Sequence, residues 1–97
     1  MALRQLDSEQ ITIDDTVGGV GLDASKITPN VIMALIGVRT AGINVDCKNA
    51  PLVDAGMGYA SGSQFEIWGQ PDLVGFRAIA DSGTDAEIDV QYFGSSV

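Results

Sequence analysis

Apolar and polar residues alternate with a period of two over several stretches of this chain. Gln10-Ile11-Thr12-Ile13-Asp14, Ile43-Asn44-Val45-Asp46-Cys47, Gln64-Phe65-Glu66-Ile67-Trp68 and Ala86-Glu87-Ile88-Asp89-Val90-Gln91-Tyr92 each put their apolar side chains on one face of an extended strand. Between them lie turn compositions at intervals of about ten residues, among them Asp-Asp-Thr-Val-Gly-Gly, Ala-Ser-Gly-Ser and Asp-Ser-Gly-Thr-Asp. No apolar stripe of helical spacing runs for three turns, and twelve glycines count against long helices. The pattern predicts an all-β fold. We expect a single antiparallel β-sandwich, jelly-roll-like, with about eight short strands in one domain spanning residues 1–97 and flexible tails at about residues 1–4 and 95–97.

One stretch departs from alternation in an informative way. In Phe-Glu-Ile-Trp-Gly-Gln-Pro-Asp-Leu-Val-Gly-Phe, Phe65 and Ile67 share one strand face while Glu66 and Trp68 take the other. Pro71 cannot donate to a ladder, so the strand ends before it. Asp72 to Phe76 suits one helical turn with Asp72 as N-cap, and the spacing points Leu73 and Phe76 the same way. This predicts a sandwich corner plugged by Leu73 and Phe76, with Trp68 and Tyr92 as its other core residues. The competing reading is a ligand shelf centred on Trp68.

Val31, Ile32, Met33, Ala34, Leu35 and Ile36 form the longest apolar run. A sandwich strand buries one face and leaves the other polar, so an apolar second face needs a cover. A folded terminus, a long loop or another subunit can supply it. In so small a chain the subunit is the expectation, and these six residues are the interface candidates of a trimer or ring. The run falls well short of the roughly 20 residues that cross a bilayer.

Composition narrows the partners. Thirteen acidic residues against five basic ones give a net charge of −8. Arg4, Lys26, Arg39, Lys48 and Arg77 are scattered rather than striped. Such a surface repels phosphates and anionic membranes, so neither nucleic acid nor membrane is an expected partner; a positively charged protein surface is. With 45% hydrophobic residues the chain is globular rather than disordered. Met-Ala-Leu-Arg-Gln-Leu-Asp has no apolar core of a signal peptide, which predicts synthesis in the cytoplasm. Cys47 is the single cysteine and lies in phase with Ile43 and Val45, as a small buried hydrophobe would.

The candidate chemistry is thin. Without histidine, neither a Ser-His-Asp nor a Cys-His nucleophile system can be assembled from this sequence. Gly19-Val20-Gly21-Leu22-Asp23-Ala24 fits a dinucleotide fingerprint, yet Ser-Lys-Ile-Thr-Pro-Asn follows where the motif needs a helix. Asp81-Ser82-Gly83-Thr84-Asp85-Ala86-Glu87 spaces carboxylates like a calcium loop but lacks the order of one. Asp46 and Glu66 form a hydrolytic pair only if their strands are neighbours. We expect no enzyme, no cofactor and no metal site. A small carbohydrate-binding module is a further alternative, with Trp68 and Tyr59 as stacking platforms.

Finally, the order of elements resembles that of small β-sandwich virion proteins of tailed bacteriophages. It runs from the apolar strand at residues 31–38 through Ile43-Asn44-Val45-Asp46, a Pro turn at Ala50-Pro51 and Gly56-Met57-Gly58. Phe65-Glu66-Ile67-Trp68-Gly69, Asp72-Leu73-Val74-Gly75-Phe76-Arg77-Ala78-Ile79 and the closing Gly83 to Phe93 hairpin complete it. Arg39-Thr40-Ala41-Gly42 departs from the pattern. The resemblance implies a non-enzymatic structural protein located in the virion. It would be a capsid decoration or cement subunit bound to the major capsid protein, or alternatively a head-tail junction or tail component. It carries over no functional residue.

Overall fold

A computed structural model of the protein describes residues 3–49 and 56–95. Its strands are β1 (Leu3–Ile13), β2 (Val31–Arg39), β3 (Ile43–Asp46), β4 (Met57–Tyr59), β5 (Gln64–Trp68), β6 (Arg77–Ala80) and β7 (Ala86–Ser95). A 3-10 turn, Ala24–Lys26, and one short helix, α1 (Gln70–Gly75), complete the elements. The fold is all-β, as the alternation predicts. A four-stranded antiparallel sheet in the order β1-β7-β2-β5 faces a three-stranded one in the order β4-β3-β6, which Val20 extends by an isolated bridge to Ala78. The Ala50-Pro51 turn lies outside the described residues.

The core is built from the inward phase of each strand. Ile13, Ala34, Ile36, Val38, Ile43, Ala86, Ile88, Val90 and Tyr92 are buried there, and Leu73 and Phe76 close one end. Removing this much apolar surface from water is the main force holding the two sheets together. The plug expected at Leu73 and Phe76 is present, and both side chains are fully buried.

Four expectations are corrected. Trp68 is no core residue: it is 50% exposed, because the alternation of β5 sends it outward with Glu66. Asp72 is not the N-cap; α1 starts at Gln70 after Gly69, because Pro71 is pre-set for a first helical turn. Leu3 and Arg4 are not a free tail but pair with Ser95 and Gly94 in the β1–β7 ladder. The six-residue interface run is split by a register shift between Val31 and Met33. The shift absorbs Ile32, so Val31, Ala34 and Ile36 all belong to the core. Three of the six interface candidates therefore sit in the core, and a fourth, Met33, is buried on the outer side of the sheet.

Gln70 fixes the corner in place. Its side-chain amide donates to the carbonyls of Thr28 (2.9 Å) and Val31 (2.6 Å), while the Gly69 N–H donates to the Ile32 carbonyl at 2.9 Å. The stretch Gly-Gln-Pro-Asp is thus a corner that ties α1 to the start of β2.

Candidate functional site: the outer face of the four-stranded sheet

The outward phase of β1, β7, β2 and β5 makes one continuous surface. The register stacks it in cross-strand rows. At one end, Gln5, Phe93, Met33 and Trp68 lie side by side. Next come Ser8, Gln91, Leu35 and Glu66, then Gln10, Asp89, Gly37 and Gln64, and finally Thr12, Glu87 and Arg39. The face grades from apolar to charged along the strands.

Met33 explains how β2 carries apolar residues on both faces. It points outward yet is only 5% exposed, with Phe93 and Trp68 as its register partners on either side. As an inner strand of the sheet, β2 receives part of its cover from the aromatic side chains of its two neighbours. Leu35 and Ile32 remain partly exposed.

Gly37 leaves a gap in the third row. Above it lies a depression of about 420 Å³, lined among others by Leu35, Arg39, Gln64, Asp89 and Gln91. A second depression of about 490 Å³, lined by Leu35, Gln64, Glu66 and Trp68, continues it towards β5. A third, of about 410 Å³, continues it over Gln10 and Ser8 towards β1. Shared lining residues join the three into one shallow trough across the sheet.

The polar groups in this trough are held in place. Arg39 Nε pairs with Asp89 Oδ2 at 2.5 Å, and Gln10 Nε2 donates to Asp89 Oδ1 at 3.2 Å. Trp68 Nε1 donates to Glu66 Oε1 at 3.0 Å, which ties the indole to the sheet surface while leaving half of it exposed. The result is a half-exposed indole, two carboxylates and a guanidinium along one face, with the amides of Gln64 and Gln91 beside them.

The other sequence candidates do not assemble. Tyr59 stacks on Phe65 with ring centroids 3.9 Å apart, on the core side of β5, so it shares no platform with the outward Trp68. Asp46 is in the three-stranded sheet, paired in register with Arg77, while Glu66 is on the far face of the other sheet. They are not neighbours. Asp46 instead accepts from the N–H groups of Lys48 and Asn49, each at 2.8 Å, and these bonds hold its carboxyl below the usual carboxylate range. Asp23 caps the 3-10 turn through Ser25, and no longer helix follows to receive a pyrophosphate. Among the described residues no three His, Cys, Asp or Glu side chains come close enough to hold a metal ion.

Cys47 packs partly buried against the core. Burial, then the carboxylates of Asp72 and Asp46, push its thiol up from the ordinary value, so it carries little thiolate. Tyr92, fully buried, is likewise pushed well above the tyrosine range, chiefly by burial and then by donating to Glu9. Neither group is poised for chemistry near neutral pH.

The trough was only partly visible in the sequence. The face-sharing of Glu66 and Trp68 was legible; the placing of Arg39, Gln91 and Asp89 beside them depends on β7 lying next to β2. Compared with known proteins, the chain matches no family model, no curated protein and no solved structure.

Proposed function

We propose that this chain is a non-enzymatic structural subunit of a phage virion, a decoration or cement protein that binds the outer capsid shell and stabilises it. The observation that carries this reading is the open edge of β1. Among the described residues the strand, eleven residues long, pairs with β7 alone, so its other side is an open sheet edge. An extended segment of a coat subunit can add there as a further strand, drawing affinity from main-chain hydrogen bonds. The bulge between Gln5 and Asp7 interrupts the first half of this edge and guards it against indiscriminate pairing, which leaves residues 8–13 as the docking length. The net charge of −8 favours a basic partner and the outside of a shell over its DNA-facing interior. The element order, similar to that of small virion sandwiches, points the same way.

A copy that binds assembled shell in preference to free coat protein stabilises it by mass action. Capsids loaded with the protein should therefore melt at a higher temperature than bare ones. Amides of residues 8–13 should gain protection from hydrogen exchange on binding. Identical melting curves would sink the cement role, and unchanged exchange would sink the docking edge. Copy number separates the head-tail alternative, since a junction or tail ring holds about six or twelve copies and a shell holds hundreds. Should β1 of one copy add to the open edge of β5 in the next, the same contact repeats head to tail and closes as a trimer or ring, which light scattering reads directly.

A further inference from the structure

We propose that the trough over Gly37 is a binding site for a neutral oligosaccharide. The inference does not depend on the virion role or on the β1 edge.

Gly37 is the starting point. It sits in the middle of β2 with ordinary extended backbone, so no left-handed conformation demands a glycine there. A Cβ at this position would meet only Gln64 Cγ, at 4.0 Å, so no close packing demands one either. A glycine inside a strand costs stability through backbone entropy and the missing side chain. A common reason for bearing that cost is that something approaches the backbone closely from outside the sheet. Here the space above Gly37 is the middle of the shared trough, flanked in register by Asp89 on β7 and Gln64 on β5.

The lining identifies the ligand class. Sugars present a C–H face that stacks on an aromatic ring and a rim of hydroxyls that both donate and accept. Trp68 offers a half-exposed indole at one end, anchored through its own N–H to Glu66. Gln64 and Gln91 offer planar amides, each with donors and an acceptor at fixed spacing. Asp89 and Arg39 pair with each other, so they offer only the remaining lone pairs of the carboxylate and the remaining N–H donors of the guanidinium, with offset charge. Offset charge matters: a polyanion meets a chain of net charge −8, and a cation meets a carboxylate already engaged by Arg39 and Gln10. An apolar ligand would leave these polar groups unpaired. The trough is open at both ends, towards β1 and towards β5, which suits a chain lying across the strands rather than an enclosed small molecule.

Trp68 is the single tryptophan, so its emission reports on the trough alone. The wild-type protein is titrated with maltohexaose, cellohexaose, xylohexaose and chitohexaose, and with the polyanions polygalacturonate and dextran sulfate. We expect a saturable change in Trp68 emission with at least one neutral oligosaccharide, confirmed by calorimetry. Gly37→Leu fills the floor of the trough, and Gln91→Ala removes one amide; each should weaken binding by about tenfold or more while the thermal melt stays cooperative. Gly37→Ser serves as the smaller filling variant should Gly37→Leu not fold. The proposal is overturned if no neutral oligosaccharide alters the emission at millimolar concentration. It is equally overturned if only the polyanions bind, or if the folded filling variants bind as tightly as wild type. None of these results bears on capsid melting, so the two readings fail separately.

Discussion

The hydroxyl of Tyr92 donates to the carboxylate of Glu9, its diagonal neighbour across the β1–β7 ladder. The same carboxylate accepts from the backbone N–H of Asp23 at 3.3 Å. One side chain at the rim of the sandwich thus joins β1, β7 and the loop that leads into the 3-10 turn. Tyr92 is fully buried, so this bond is where its polar atom is satisfied.

A high-pH prediction follows from that arrangement. Because the folded protein keeps Tyr92 neutral far above the ordinary value of 10.0, an unfolded chain ionises it first. The stability contributed by the neutral phenol is complete below that value and is lost progressively as pH rises beyond it. Urea unfolding at about pH 9 and about pH 11 should show a steeper loss in the wild type than in Tyr92→Phe. At neutral pH the Phe variant should be less stable by about 1 kcal/mol, since Glu9 loses a donor. Equal slopes above pH 10.0 would refute the burial of a neutral Tyr92 phenol.

At the acid end the sign reverses. Asp7, Asp14, Asp23 and Asp46 all have carboxyls held below 3.8. The hydroxyls of Thr16 and Ser25 are the main cause at Asp14 and Asp23, with backbone N–H groups adding to them; backbone N–H groups lead at Asp7 and Asp46, with the Lys26 ammonium adding at Asp7. Such groups contribute stability that is complete above their unfolded value and is lost as pH falls from there through the lower folded-state value. Melting temperature should therefore drop between about pH 5 and about pH 3. Asp46→Asn keeps an acceptor for Lys48 and Asn49 but cannot titrate, and its melting temperature should fall less over the same interval. An unchanged dependence on pH would remove Asp46 from the explanation.

How far the fold was legible depends on where each strand sits. β7 and β5 read correctly because each has one face on the core and one in water, so their alternation is clean. The first half of β1 did not read as a strand. Arg4, Gln5, Asp7, Ser8 and Gln10 are polar in both phases, because an edge strand at the mouth of a sandwich has little core to cover. The register of β2 was hidden for the opposite reason: in an unbroken apolar run, either triplet satisfies the pattern, and only its pairing with β5 and β7 decides. Trp68 shows a third limit. Its strand phase was right, but size and hydrophobicity suggested burial, whereas the structure leaves it on the outer face with its N–H engaged by Glu66.

Two glycines should respond in opposite ways to the same substitution. At Gly75 an added Cβ would lie 2.1 Å from the Cys47 carbonyl oxygen, a backbone atom that cannot swing aside. Gly75→Ala should cost about 2 kcal/mol or more by forcing α1 away from the end of β3. At Gly37 the added methyl meets only Gln64 Cγ, at 4.0 Å, an ordinary van der Waals distance. Gly37→Ala should be neutral or stabilising by about 0.5 kcal/mol, because it narrows the unfolded ensemble without strain. Chemical denaturation of the two variants side by side checks both. Equal effects would mean that Cys47 and Gly75 are not in contact.

The phase of β2 can be tested with charge. Ala34 and Leu35 are adjacent, yet Ala34 is fully buried between Ile67 and Tyr92 in register while Leu35 faces the trough between Glu66 and Gln91. Ala34→Asp places a carboxylate in the core with no partner, and desolvating an unpaired charge costs several kcal/mol, on the order of the whole stability of a small domain. That variant should not fold. Leu35→Glu puts the same charge at a partly exposed outward position beside two polar neighbours. It should keep a cooperative melt and lose about 1 kcal/mol or less, mostly from repulsion by Glu66. Circular dichroism and thermal melts distinguish the outcomes. If Ala34→Asp folds, or if Leu35→Glu does not, the pairing of β2 with β5 and β7 is out of phase and the opposite face of β2 covers the core.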